Sequence, residues 1–313
     1  MRKNVFIVVV TFNTGHDWLD KCLGSIRSCQ IPLQTIVIDN ASTDDSVAYI
    51  KENYSEVELF ISTENLGFAK ANNLGIRHAL AAGAEHVFLL NHDAWFVEDC
   101  LAKLLNLQQS FPDFGILSPI HLNGTGELLD WNFTQYLSSC HDDGRKLYTQ
   151  LLKRETLDPI YSVSFVNAAA WLISRACIEK VGLFDTALFV HYGEDSHFVQ
   201  RAQYHQFKIG VAPECFIYHD RETRSGKSVQ TEFNQSADLL NFVLETSNIL
   251  HEEHAVSSAE HLRHCLIQSF KALFKLDVEQ FKNQFMLYRQ MKKLLPVILQ
   301  RREINKVPNQ PFL

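Results

Sequence analysis

The chain has 313 residues, 46% hydrophobic and 21% charged, which is ordinary usage for a folded globule and unlike a disordered or fibrous chain. With 36 acidic against 29 basic residues the net charge is -7, so no overall positive field exists to gather nucleic acid. The seven cysteines are scattered and never spaced as C-x-x-C, which argues for free thiols in a reducing compartment over a disulfide or zinc framework.

Residues 5–10 follow Arg2 and Lys3, yet polar Thr11, Asn13 and Asp17 come at once, so the run is too short for the apolar core of a signal peptide. It reads as a buried parallel strand, as does 35–38, because unbroken β-branched runs suit a sheet covered on both faces. Between them Trp18, Leu19, Cys22, Leu23 and Ile26 recur at helical spacing, completing a βαβ unit. The second strand runs into Asp39-Asn40-Ala41-Ser42-Thr43-Asp44-Asp45-Ser46, a loop of helix-capping residues ahead of another helix. A third strand at 57–61 leads through Asn65-Leu66-Gly67 to a helix at 70–81, and a fourth at 87–90 ends at Asn91-His92-Asp93. Polar residues thus gather after successive strands, and open α/β sheets bind ligands at those carboxyl ends.

From 116 to 162 the pattern breaks up around Gly124, Gly126 and Gly144, which predicts hairpins or a mobile loop. Order resumes with 164–174, a short helix at 176–181, the segment 184–202 and a strand-like stretch at 215–218 that ends on His219. From 233 to 299 apolar residues such as Leu240, Val243, Leu244, Leu262, Leu266 and Phe270 fall at helical spacing. The reading is an α/β domain over 1–230 and a helical appendage over 231–313. No stretch approaches the roughly 18–20 apolar residues that span a bilayer, so a cytoplasmic protein is expected.

Each polar cluster has an ordinary explanation beside a chemical one. Asp39-Asn40 suits a helix cap, and Asn65-Leu66-Gly67 a tight turn. Asp93 alone cannot hold Mg²⁺ or Mn²⁺, which take about six ligands. Glu194-Asp195 complements the positive end of a helix, but one of two adjacent carboxylates can also bind a substrate hydroxyl while the other takes its proton. Most of the 14 histidines must be bystanders, and His219 suits a core or rim position. Gly-x-Gly-x-x-Gly, P-loop, Gly-x-Ser-x-Gly and His-Glu-x-x-His motifs are absent, which removes the common dinucleotide, kinase-like, serine-hydrolase and zincin readings.

Taken in order, five stretches resemble the family 2 glycosyltransferases of GT-A fold, within their bacterial rhamnosyltransferase-like branch. They are Val8-Val9-Val10-Thr11-Phe12-Asn13, Val37-Ile38-Asp39-Asn40-Ala41-Ser42-Thr43-Asp44, the run from Glu64-Asn65-Leu66-Gly67 to Asn72-Asn73-Leu74-Gly75, Leu89-Leu90-Asn91-His92-Asp93, and Val181-Gly182-Leu183-Phe184-Asp185 through Tyr192-Gly193-Glu194-Asp195. The resemblance implies a base and ribose pocket at Thr11, Asn13 and Asp39, with Asn65, Gly67 and Asn73 approaching the nucleotide. Asn91-His92-Asp93 stands where the family has Asp-x-Asp, so Asn91 borders the donor and Asp93 is implied to ligate Mg²⁺ or Mn²⁺, with His219 as a further ligand. Asp195 matches the general base and Glu194 a hydroxyl partner. His92 stands where the branch usually has proline, and Ser196-His197 follow the acidic pair where an apolar residue and an aspartate are common.

The implied activity is inverting, metal-dependent transfer of one sugar, rhamnose in the named branch, from a nucleoside diphosphate sugar to a hydroxyl of a glycan or lipid-linked acceptor in cell-surface polysaccharide synthesis. Absence of the Gln-x-x-Arg-Trp signature argues for single rather than processive transfer. A catalytically silent nucleotide-sugar-binding or scaffold protein is the rival expectation, and retention of Asp93, Glu194, Asp195 and His219 counts against it. A nucleotidyltransferase would need an early basic Gly-rich loop, and 11–20 contains neither arginine nor lysine. In the appendage, Lys271, Lys275, Lys282, Arg289, Lys292, Lys293, Arg301 and Arg302 suit either anionic lipid at a membrane face or an ordinary solvated or homodimer surface.

Overall fold

The computed structural model of the chain describes residues 5–97, 99–137, 142–189, 192–221 and 237–309. The amino-terminal half alternates as the sequence predicts: β1 (Val5–Thr11), α1 (His16–Arg27), β2 (Gln34–Asp39), α2 (Ser46–Asn53), β3 (Glu58–Ile61), α3 (Gly67–Ala81) and β4 (His86–Asn91). These strands lie parallel in the order β3-β2-β1-β4. Along β1, Phe6 and Val8 enter one core while Val5, Ile7 and Val9 enter another, so both faces are covered and the apolar run needs no alternation. Helix α3 starts at Gly67, three residues ahead of the predicted 70–81, because Gly67 takes φ +75°, a left-handed entry that favours glycine.

The chain continues through β5 (Ala94–Phe96), α4 (Cys100–Ser110), β6 (Phe114–Leu122), α5 (Phe133–Tyr136), α6 (Asp142–Lys153), β7 (Tyr161–Ser162), β8 (Ala170–Ser174), α7 (Arg175–Val181), α8 (Glu194–Tyr204) and β9 (Lys208–His219). Here the sheet becomes mixed. β8 runs antiparallel to β4 and β6, β6 is parallel to β9, and β5 and β7 flank β9 antiparallel.

Two expectations are corrected in this half. The stretch 116–162 is not irregular throughout: most of β6, a buried strand, and helices α5 and α6 lie within it. Gly115, Ser118 and Pro119 interrupt the apolar run of β6, and register shifts at Phe114/Ile116 and Pro119/Ile120 spoil its two-residue rhythm. Among the described apolar side chains of α6, Leu147 is buried while Leu151 and Leu152 stay exposed, so the apolar face is too thin to read. The second correction shortens the ordered segment at 164–174 to β8, since residues 167–169 leave the sheet and line a cleft.

Helices α9 (Ala237–Ser247), α10 (Glu253–Phe274) and α11 (Val278–Lys306) form the carboxyl-terminal layer. They share a third core, built from Phe242, Cys265, Leu287, Met291 and Ile298, with Leu188 and Phe189 of the α/β part. The expected division at 230/231 lies outside the described residues. Two of the eight cations read as candidates for a lipid-facing surface turn inward instead. Arg302 is buried and donates to the carbonyls of Thr246, Asn248 and His251, satisfying groups left open where α9 ends. Arg301 donates Nε to Asp185 Oδ2 at 2.8 Å. Among the described residues no helix is long and apolar enough to cross a membrane.

Candidate active site

A cleft of about 730 Å³ opens at the carboxyl ends of β1, β2 and β4 and is closed on its far side by residues 167–169 and the start of α8. Hydrogen bonds among strand-end loops shape its donor side. Asn40 lies at the centre: Nδ2 donates to Asn65 Oδ1 at 2.8 Å, and Oδ1 accepts from Leu66 N at 2.7 Å. Asn65 Oδ1 also accepts from Gly67 N at 2.9 Å. Asn13, at φ +46°, donates its N to Ser42 Oγ at 2.9 Å and accepts from Thr43 N at 2.8 Å, locking the β1 and β2 loops together.

Of the sequence-derived donor residues, Asn13, Asn65, Gly67 and Asn91 line the cleft. Thr11 and Asp39 do not face it. Both are buried, Thr11 Oγ1 donates to Asp39 Oδ1 at 3.2 Å, and Asp39 Oδ2 accepts from Ser42 N at 3.0 Å, so the pair braces the loop that presents Asn40. Asn73 is also placed elsewhere: Nδ2 donates to Phe184 O at 2.9 Å and Oδ1 accepts from Phe184 N at 3.0 Å. Its neighbour Asn72 lines the cleft in its stead.

At the base of the cleft, β5 pairs with β9 so that Ala94 lies opposite His219, and this register brings Asp93 to His219 across 126 residues of chain. Both side chains are buried, and His219 Nε2 lies 3.5 Å from Asp93 Oδ1 without a hydrogen-bond partner among the described residues. On the other edge of the ring, Nδ1 accepts from Arg221 Nε at 3.3 Å and lies 3.5 Å from Asp130 Oδ2, which also takes Arg221 Nε at 3.1 Å. A carboxylate behind an imidazole whose far nitrogen faces a second carboxylate becomes the second-shell pattern of a histidine metal ligand once Nδ1 carries the ring proton, which turns that nitrogen from accepting Arg221 to donating to Asp130. The donor set thus fits a divalent cation with two protein ligands; no group of three or more His, Cys, Asp or Glu suited to a metal occurs among the described residues, which leaves the other positions to phosphate and water.

Asp195 and Glu194 enter the cleft from the first turn of α8. Burial, then the neighbouring Asp195 charge, pushes the Glu194 carboxyl up to about 7. Burial also raises Asp195, opposed by backbone N–H groups including Ser196 N, which donates to its Oδ1 at 2.7 Å. Three carboxylates therefore share a cleft in which Arg221 is the one Lys or Arg among the described lining residues.

Sequence reading missed Arg221 and Asp130, together with Trp18, Asn132, Tyr136, Asn167 and Tyr192 on the walls. Trp18 Nε1 donates to Asp220 Oδ2 at 3.2 Å, tying α1 to the chain just past His219. Asn132 and Tyr136 lie in the region whose periodicity is broken, and Asn167 in the part of 164–174 that turns out not to be strand, so no pattern marks them.

A mixed sheet with parallel strands ending at such a cleft, flanked by helices, is the GT-A glycosyltransferase architecture, and solved structures share it. Residues 6–182, more than half of the chain, match the family model "Glycosyl transferase family 2", and the chain belongs to that family. The dTDP-rhamnosyl transferase RfbF of Shigella flexneri is 24% identical over 224 residues, 70% of each chain. The N-acetylglucosaminyl-diphospho-decaprenol L-rhamnosyltransferase of Mycobacterium tuberculosis is 23% identical over 241 residues, 71% of this chain and 77% of its own length. The mannosyltransferase PcManGT of Pyrobaculum calidifontis, solved with GDP-Man and Mn²⁺, superposes with a TM-score of 0.53 at 17% identity, covering 97% of this chain and 74% of that one.

Proposed function

We propose that this glycosyltransferase moves a single sugar, rhamnose by analogy with its relatives, from a nucleoside diphosphate to a hydroxyl of a glycan or lipid-linked saccharide, with inversion at the anomeric carbon. The observation that carries the reading is one cleft lined by both Asp93, beside His219, and the Glu194-Asp195 pair. A sugar hydroxyl has a pKa far above neutrality, so its proton must leave as its oxygen attacks. The Asp195 carboxylate takes that proton. The bond between the anomeric carbon and the diphosphate oxygen breaks as the new glycosidic bond forms on the opposite face, which inverts the centre.

Glu194, whose carboxyl holds its proton up to about pH 7, donates a hydrogen bond to a sugar oxygen and keeps a second negative charge away from Asp195. Arg221 meets the growing charge of the departing diphosphate. Asp93 and His219 Nε2 would hold Mg²⁺ or Mn²⁺, which as a Lewis acid neutralises that diphosphate. Asp130 keeps the His219 ring oriented. The described cysteines are all free thiols, in keeping with a reducing, cytoplasmic setting.

The test is transfer from a panel of thymidine, uridine and guanosine diphosphate sugars to saccharide acceptors, with the product anomer read by NMR. Asp195→Asn is expected to lower turnover by at least ~10²-fold with donor affinity unchanged. Wild-type turnover by that variant would remove Asp195 from the base role, and retention of configuration would remove the inverting step. Donor binding with neither transfer nor slow hydrolysis would favour a silent nucleotide-sugar-binding protein.

A further inference from the structure

We propose that the turn joining α10 to α11 docks on an anionic lipid surface. Helix α10 buries Ser258, Cys265, Ser269 and Ala272, and Cys265 and Met291 meet in the core between the helices. At 3.6 residues per turn, Ile267, Phe270 and Phe274 fall on the opposite side of α10 from that buried stripe, and all three are exposed. Helix α11 repeats the arrangement: it buries Leu287 and Met291 and turns Val278 and Phe285 outward. Phe274, the last residue of α10, and Leu276 in the turn are 88% and 86% exposed, the latter at φ +59°. Among the described residues neither outward stripe is covered, and an exposed apolar cluster of this kind marks an interaction surface.

The charge around the stripes selects the occupant. Residues 263–293 hold seven Lys or Arg against two acidic residues, in a protein whose net charge is -7. Lys271, Lys275 and Lys282 are all exposed beside the apolar side chains. Of the two acids, Asp277 is engaged in capping α11, accepting from Gln280 N at 2.9 Å. A twofold dimer through this turn would set one basic cluster against its own copy. A bilayer with anionic headgroups instead takes the apolar side chains into the acyl boundary and the lysines at phosphate level.

The experiment is co-sedimentation of the full chain with phosphatidylglycerol/phosphatidylcholine vesicles and with pure phosphatidylcholine vesicles, at low and high salt, without donor or acceptor. Binding is expected to require phosphatidylglycerol and to weaken with salt. The double variant Phe274→Asp/Leu276→Asp should bind at least ~10-fold more weakly, and Lys271→Gln, Lys275→Gln or Lys282→Gln about fivefold each. None of these residues lines the cleft, so donor hydrolysis and circular dichroism should match wild type. Absence of binding to phosphatidylglycerol vesicles at low salt, or binding indifferent to all these variants, would overturn the proposal. So would a wild-type dimer in sedimentation equilibrium that Phe274→Asp/Leu276→Asp splits, which would make the turn an interface between copies. Because the readout needs no sugar transfer, its failure is separable from failure of the proposed activity.

Discussion

Glu194 and Asp195 are adjacent in sequence and share a cleft, and burial raises both carboxyls, with the Asp195 charge adding to the rise at Glu194 and backbone N–H groups such as Ser196 N opposing it at Asp195. The Glu194 carboxyl titrates at about 7 where an ordinary glutamate does so at 4.5, so its charge opposes folding. A raised carboxyl pKa means that stability is full below the unfolded value and is lost as pH climbs toward 7. Glu194→Gln should therefore stabilise the unliganded protein at pH 8 by roughly 3 kcal/mol and have little effect at pH 4, as read by urea denaturation at both values. The same variant should remove an inflection near pH 7 from the rate profile; an inflection that persists would assign that titration to another group. Asp130 acts one step back. Asp130→Asn should weaken metal affinity by about 10–100-fold and leave metal-free donor affinity unchanged, since it loosens the His219 ring and touches no phosphate. Equal Mn²⁺ affinity in a calorimetric titration would reduce Asp130 to a helix cap, which it also provides through Phe133 N at 3.0 Å.

At the scale of elements, the four parallel strands were legible because each is a short, mostly apolar run with a polar cluster behind it, broken only by Glu58 in the third. The site was legible where a side chain follows closely on such a strand end, as with Asn13 and Asp93, or where an acidic pair opens a helix, as Glu194 and Asp195 do. Asn73 illustrates the limit. One residue along α3 is a rotation of about 100°, so Asn72 lines the cleft while Asn73 clamps the backbone of Phe184. His219 and Asp130 meet through the pairing of β9, which no local spacing encodes, and Arg221 follows from the same register. Close packing of α3 on β1 makes a separate prediction: a Cβ at Gly75 would stand 2.4 Å from Val8 Cγ1 in a fully buried position. Gly75→Ala should destabilise by about 1–3 kcal/mol, and Val8→Ala should cost less in that background than alone, a coupling that a double-mutant thermal-unfolding cycle measures.

Across the whole molecule, the carboxyl-terminal helices are fastened to the helix that carries the acidic pair. Asp185 accepts from Arg301 Nε at 2.8 Å and from Asn305 Nδ2 at 3.2 Å, while His205 Nε2, just past the end of α8, lies 2.9 Å from Asn305 O. Burial pushes Asp185 upward, but His197, Arg301 and Arg201 outweigh it and hold its carboxyl below the usual range. A depressed carboxylate stabilises above its unfolded pKa and loses that contribution as pH falls, so Arg301→Met should raise the acid-unfolding midpoint and cost about 3 kcal/mol at pH 7 by leaving Asp185 short of its nearest cation. An unchanged acid transition would show the joint to be incidental. The appendage is thus part of the support of the helix that carries the acidic pair, a connection the helical spacing of 233–299 could not convey because its partners lie about 100 residues earlier.

All of these levels meet in the proposal that Asp93 and His219 would hold a divalent cation beside a bound diphosphate. Calorimetric titration of a nucleoside diphosphate sugar into the wild-type chain, Asp93→Ala and His219→Ala, each with and without Mn²⁺, addresses that directly. The wild-type chain should gain at least tenfold in donor affinity from Mn²⁺, and both variants should lose the gain while keeping their metal-free affinity. Equal enhancement by Mn²⁺ in all three proteins would contradict the account.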